Sequence, residues 1–93
     1  MEIFGQIALK IIKEQELIIG PLAWDEARKV SGLSIVNQQT GDIAFNGDKK
    51  DVLDHLVGQY ERLFGRASRE VCHDAVSSLI VDLPAAEVPA SLR

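Results

Sequence analysis

The chain has 93 residues, of which 46% are hydrophobic and 26% charged, and its formal net charge is −4. This composition is typical of one globular domain and is too apolar, at so small a net charge, for a disordered chain. The ten basic residues are scattered, which argues against nucleic acid as a partner, and no apolar run reaches the roughly 18 residues of a membrane-spanning helix.

Residues 2–19 predict a first helix, because most of their apolar side chains recur at helical spacing. Leu9 and Leu17 fall outside the stripe that the others form, so the polar side of the helix is narrow. An apolar arc this wide predicts contacts on more than one side of the helix. A single small domain is not expected to cover it fully.

Gly20 and Pro21 separate this helix from a shorter second one, predicted over residues 21–30. The pattern then changes to alternation. Residues 33–35 and 43–45 each alternate apolar and other side chains around a polar stretch with a glycine at Gly41, which predicts a β-hairpin over residues 33–45.

Residues 49–64 carry the clearest helical period of the chain, with Asp48 as the predicted N-cap and Gly65 as the stop. A fourth helix is predicted over residues 67–82. The expected fold is therefore α+β, in the order ααββαα. It forms one domain over residues 1–83, and residues 84–93 are expected to be a flexible tail.

His55, Cys72 and His73 are the residues best suited to chemistry, but no catalytic or metal-binding motif surrounds them. The sequence has no C-x-x-C, no H-x-x-x-H and no glycine-rich phosphate loop. Cys72 lies on the apolar face of its helix, which predicts a buried structural cysteine. We expect no enzyme, metal or cofactor; a small enzyme that uses His55 or His73 is a third alternative.

A self-associating protein is the favoured interpretation. A chain of this length hides only about 64% of its surface on folding, and association is one common way to bury more. Gly58 lies inside a helix, where glycine costs about 1 kcal/mol relative to alanine. This indicates either close approach by a neighbour or a tolerated weakness at an exposed position. Trp24 is a candidate contact anchor or a core residue. The candidate interface comprises Ile3, Phe4, Leu9, Leu17, Trp24 and Gly58.

The expected function is a non-enzymatic regulatory or interaction module, forming a homodimer or binding another protein. Pairing of two hairpins into one four-stranded sheet is one way to build the dimer. The alternative is a small-ligand sensor with a pocket lined by Trp24, Phe45, Tyr60 and Phe64. The absence of a signal-peptide pattern and the single cysteine predict a cytoplasmic protein.

Overall fold

The computed structural model describes residues 2–93. Four helices and one antiparallel hairpin follow each other in the predicted order, which confirms a small α+β domain. The elements are α1 (Ile3–Ile19), α2 (Leu22–Arg28), β1 (Leu33–Asn37), β2 (Asp42–Phe45), α3 (Lys49–Phe64) and α4 (Arg66–Ile80). Two short 3₁₀ helices follow, Ala85–Glu87 and Ala90–Leu92.

The ends of α3 follow from local chemistry. Asp48 is extended and its carboxylate accepts hydrogen bonds from the backbone N–H groups of Lys50 and Asp51, at 2.9 and 3.2 Å. These are two of the donors that the first turn of a helix leaves unpaired. Gly65 ends the helix at φ +89°, a conformation that favours glycine, and α4 begins directly after it.

The core lies between α1, α3 and α4, with α2 and the hairpin packed at its sides. The predicted stripes supply it: every third or fourth residue of each long helix turns inward. Its fully buried members include Ile7, Ala8, Ile11 and Ile12 from α1, Leu53, Leu56 and Tyr60 from α3, and Cys72 and Val76 from α4.

The hairpin covers part of the wide apolar arc of α1. Ile35 pairs with Ile43, and a bulge between Ile35 and Asn37 leaves Val36 exposed. The turn at Gly41, where φ is +77°, lies so close to Leu9 that an added Cβ would stand 2.7 Å from a Leu9 methyl carbon. Leu9 therefore points at the hairpin turn, which explains why it lies outside the main stripe.

Residues 84–93 differ from the expected flexible tail, because they pack against α3 and α4. Leu92 is fully buried and Val88 nearly so. Ser91 donates from its backbone N–H and its hydroxyl to one carboxylate oxygen of Asp54, at 3.0 and 2.6 Å. Pro84 and Pro89 each precede a single 3₁₀ turn, so the segment buries apolar side chains without a helical period.

Candidate functional site

Three hydrogen bonds between elements bring four helix ends to one end of the molecule. Gln15 Nε2 donates to the carbonyl of Ser68 at 3.0 Å, which holds the last turns of α1 against the start of α4. Trp24 Nε1 donates to Glu16 at 2.9 Å, which holds α2 against α1. The Tyr60 hydroxyl donates to the carbonyl of Ala23 at 2.6 Å, which joins the last turns of α3 to the start of α2.

Apolar side chains lie exposed at this end, on the final turns of α1 and α3 and at the first residue of α2. The exposed fractions run from 37% to 81%, with Leu17 the highest. Isolated exposed apolar residues are ordinary, but a group at one end of a small domain is typical of an interaction site. We call this group the apolar end surface: Leu17, Ile18, Leu22, Leu63 and Phe64.

The margin of the apolar end surface carries charges of both signs. Glu16 and Asp25 lie on the side formed by α1 and α2, and Asp25 forms an ion pair with Arg28 at 3.4 Å. Arg62 and Arg66 lie on the side formed by α3 and α4. Arg66 is exposed and has no ion pair within residues 2–93. Asp25 is thus already paired within the chain, whereas Arg66 is not.

Glu26 fixes α2 to α3 close to this end. Its carboxylate accepts from Gln59 Nε2 at 2.8 Å and forms an ion pair with Lys29 at 3.0 Å. Hydrogen bonds from Lys29 and Gln59 favour the charged form and hold the pKa of Glu26 below its ordinary value of 4.5. The position of α2, and of Leu22 at its start, is thus set by polar contacts as well as by packing.

The predicted interface residues fall into different environments. Ile3, Phe4 and Leu9 are half-buried and pack on the core, whereas Leu17 is 81% exposed. Leu17 alone among the six is part of the apolar end surface. Sequence reasoning missed Ile18, Leu22 and Leu63, although α1 and α3 both place apolar residues directly before a terminal glycine.

Within this chain Trp24 lies in the core and Gly58 lies at an exposed position. Trp24 is 2% exposed and its indole N–H is bonded to Glu16, so within this chain it is a core residue. Gly58 is exposed on α3, and a Cβ added there would meet no atom within 4 Å. No neighbour within residues 2–93 requires glycine at this position.

The structure does not bring the four aromatic residues of the predicted pocket together. The ring of Phe45 lies 5.9 Å from Lys49 Nζ, at the first residue of α3, whereas Phe64 is the last residue of that helix. A helix of 16 residues is about 24 Å long, so these two rings cannot line one small pocket. Trp24 and Tyr60 lie between them as members of the packed core.

The residues best suited to chemistry are dispersed. Burial raises the pKa of the Cys72 thiol to about 11, partly opposed by the Gln15 amide 3.3 Å from its Sγ. The thiolate is therefore disfavoured at neutral pH. His55 is exposed on α3, and His73 Nδ1 lies 3.6 Å from Asp74. Within residues 2–93, no three His, Cys, Asp or Glu side chains are grouped so as to hold a metal ion.

A cavity of about 300 Å³ lies between α4 and the segment that follows it. The sequence did not predict this cavity, since two of its five lining residues come from the segment expected to be flexible. No local motif links the two parts of the wall, which lie about 20 residues apart in the chain. The lining residues are Arg69, Glu70, His73, Ser91 and Arg93.

Across residues 2–93, no helix combines the length and the apolar character needed to cross a membrane. Comparison of this chain with known protein families, with curated proteins and with solved structures finds no match in any of the three.

Proposed function

We propose that this chain is a non-enzymatic interaction module that associates with a second copy of itself through the apolar end surface. The observation that supports this proposal is the exposure of five apolar side chains, 37–81% each, at one end of the domain. Exposed apolar side chains grouped at one end of a small domain are characteristic of protein–protein contact sites. A regulatory role would follow from control of this association.

The expected strength of the contact is modest. Full burial of a Leu, Ile or Phe side chain stabilises by about 1.5–3 kcal/mol, and these five are on average about half exposed. Covering them contributes on the order of 5 kcal/mol from each copy. Association costs about 4–15 kcal/mol in lost freedom. Since gain and cost are similar, we expect a reversible dimer whose population rises with concentration.

The charged residues around the apolar end surface favour a second copy of the chain as its partner. A two-fold axis through the apolar end surface would set the α3–α4 side of one copy against the α1–α2 side of the other. Arg62 and Arg66 would then face Glu16 and Asp25 of the partner copy. Complementary charges at a rim favour the correct orientation and faster encounter.

Analytical ultracentrifugation or light scattering across a concentration series tests the proposal. The apparent mass is expected to rise from that of one 10.2 kDa chain toward twice that value. Leu17→Asp should keep the chain monomeric, because it places a charge at the centre of the contact. Leu17 is 81% exposed in the single chain, so this change should leave the monomer fold intact.

Two control variants locate the contact. Val81 is 73% exposed and follows α4, and it lies about 20 Å along the helix axis from the end that meets Gln15. Val81→Asp should therefore leave the dimer unchanged. Val36→Asp tests the alternative dimer made by pairing hairpins. A mass independent of concentration, or loss of the dimer in Val36→Asp but not in Leu17→Asp, would contradict the proposal.

We propose the cytoplasm as the compartment, because a single cysteine cannot form an internal disulfide. Another protein with a matching apolar surface is the alternative occupant. Heteromeric binding that Leu17→Asp abolishes, with no self-association of the isolated chain, would favour that alternative and count against the homodimer.

A further inference from the structure

The cavity between α4 and the C-terminal segment has two walls of different origin. Arg69 and His73 lie four residues apart on α4, and Glu70 lies three residues before His73, so all three share one side of the helix. Ser91 and Arg93 form the opposite wall. The cavity shares no lining residue with the apolar end surface.

The wall formed by the C-terminal segment is anchored. Ser91 is tied to Asp54 on α3 by two hydrogen bonds, at 3.0 and 2.6 Å, and Leu92 beside it is fully buried. Lys50 Nζ, also on α3, donates to the carbonyl of Ala86 at 2.8 Å. The position of Arg93 relative to α4 is therefore set by contacts on both sides of the segment.

Both arginines retain donors for a ligand. Arg69 contacts Glu61 only at 3.8 Å, and its side chain is about half exposed. Arg93 donates one long bond, 3.4 Å, to the carbonyl of Ala85. A guanidinium group has five N–H donors, so most of them are not used by these contacts.

The charge of the lining is opposite to that of the whole chain. Two arginines and one glutamate line the cavity, whereas the chain has a net charge of −4. Guanidinium groups match carboxylate and phosphate oxygens in geometry and charge. A volume of about 300 Å³ is at the lower end of small-molecule sites, which favours a small ligand.

We propose that this cavity binds a small organic anion, with Arg69 and Arg93 holding its carboxylate or phosphate group. His73 supplies a further polar contact within the cavity, and Ser91, whose hydroxyl hydrogen is donated to Asp54, supplies only an acceptor oxygen. Glu70 adds an acceptor for a hydroxyl or amino group of the same ligand, and its negative charge disfavours highly charged polyanions.

Amide chemical shifts, followed during titration with inorganic phosphate and separately with acetate at constant ionic strength, test the proposal. Saturable shifts are expected at residues 69–73 and 91–93 with at least one of the two anions. A response to phosphate alone assigns the ligand group as phosphate, and a response to acetate alone assigns it as carboxylate.

Matched variants test the roles of the two arginines. Arg69→Gln and Arg93→Gln should each weaken binding by about tenfold or more, the usual effect of losing a charge-assisted hydrogen bond. Arg28→Gln makes the same change of charge on α2, outside the cavity, and should leave affinity unchanged. Shifts that never saturate with either anion, or an equal loss in Arg28→Gln, would overturn the proposal. The amide spectrum of each variant reports directly whether it is folded.

Discussion

The two ends of α1 have similar apolar residues but very different surroundings. In the first two thirds of the helix Ile7, Ile11 and Ile12 are fully buried, and Leu9 lies against the hairpin turn. In the last turn Leu17 is 81% exposed. The hairpin and the neighbouring helices cover the first part. Within residues 2–93, nothing comparable covers the second.

The wide apolar arc of α1 therefore has two separate explanations, one for Leu9 and another for Leu17 and Ile18. Around Leu9 the excess is explained by an element of the same chain, the hairpin. At Leu17 and Ile18 it is not explained by any contact within the chain, and it lies beside the exposed ends of α2 and α3. The exposed apolar residues of α1 and α3 therefore lie in the last turns before Gly20 and Gly65.

Truncation of one residue at each end of α1 should have the largest effect on stability. Ile12→Ala should lower the free energy of unfolding by about 4 kcal/mol, because it leaves a cavity in the core. Leu17→Ala should change it by no more than about 0.5 kcal/mol. Urea denaturation at a concentration where the chain is monomeric measures both. Similar losses for the two variants would show that the ends are equally covered.

The C-terminal segment gives a second contrast between covered and exposed surface. Leu92→Ala should lower stability by about 3 kcal/mol, since the side chain is fully buried. Glu87→Ala, at an exposed position of the same segment, should have little effect. Thermal or urea unfolding measures the difference. A negligible change in the free energy of unfolding of Leu92→Ala would instead support the flexible tail that the sequence predicted.

Two glycines of α3, Gly58 within the helix and Gly65 at its end, should respond differently to substitution by alanine. Gly58→Ala should raise the free energy of unfolding by about 1 kcal/mol, because alanine is the better helix former and the added Cβ meets open space. Gly65→Ala also has open space, but φ is +89° there, so this variant should be destabilised. If Gly58→Ala weakened self-association, Gly58 would be part of the dimer contact after all.

The smallest change in stability is expected for Glu26, whose carboxylate joins α2 to α3 through its hydrogen bond with Gln59. Because the pKa of Glu26 is lowered in the fold, its stabilisation is present above its unfolded pKa and is lost as pH falls through the folded value. Glu26→Gln should thus reduce the urea midpoint at about pH 7 more than at about pH 3. Asp25→Asn, at the exposed neighbour, is the control. An effect of Glu26→Gln that did not depend on pH would contradict this account.

Local signals predicted the elements well. The period of residues 49–64, with Asp48 and Gly65 at its ends, gave the bounds of α3, and the alternation around Gly41 gave the hairpin. The second and fourth helices were displaced by one or two residues at their ends, where the turns lack side-chain caps. These features depend on residues close in sequence, which is why a pattern reveals them.

The cavity and the packed C-terminal segment depend on contacts that no local pattern records. Asp54 and Ser91 are 37 residues apart, and nothing in either neighbourhood indicates that they meet. For a related reason the four predicted pocket aromatics are not brought together: Phe45 and Phe64 are separated by the length of a helix. The self-association centred on Leu17 stays a prediction, since it concerns a second chain.

The bond from Gln15 to Ser68 joins segments 53 residues apart and bears on how the chain emerges during synthesis. The buried face of α1 meets α4, so its main partner does not exist when α1 leaves the ribosome. Roughly 60 further residues are needed to complete α4, which takes several seconds at about 5–20 residues per second. During that interval the apolar face of α1 is available to chaperones, and the domain can close only after α4 has been made.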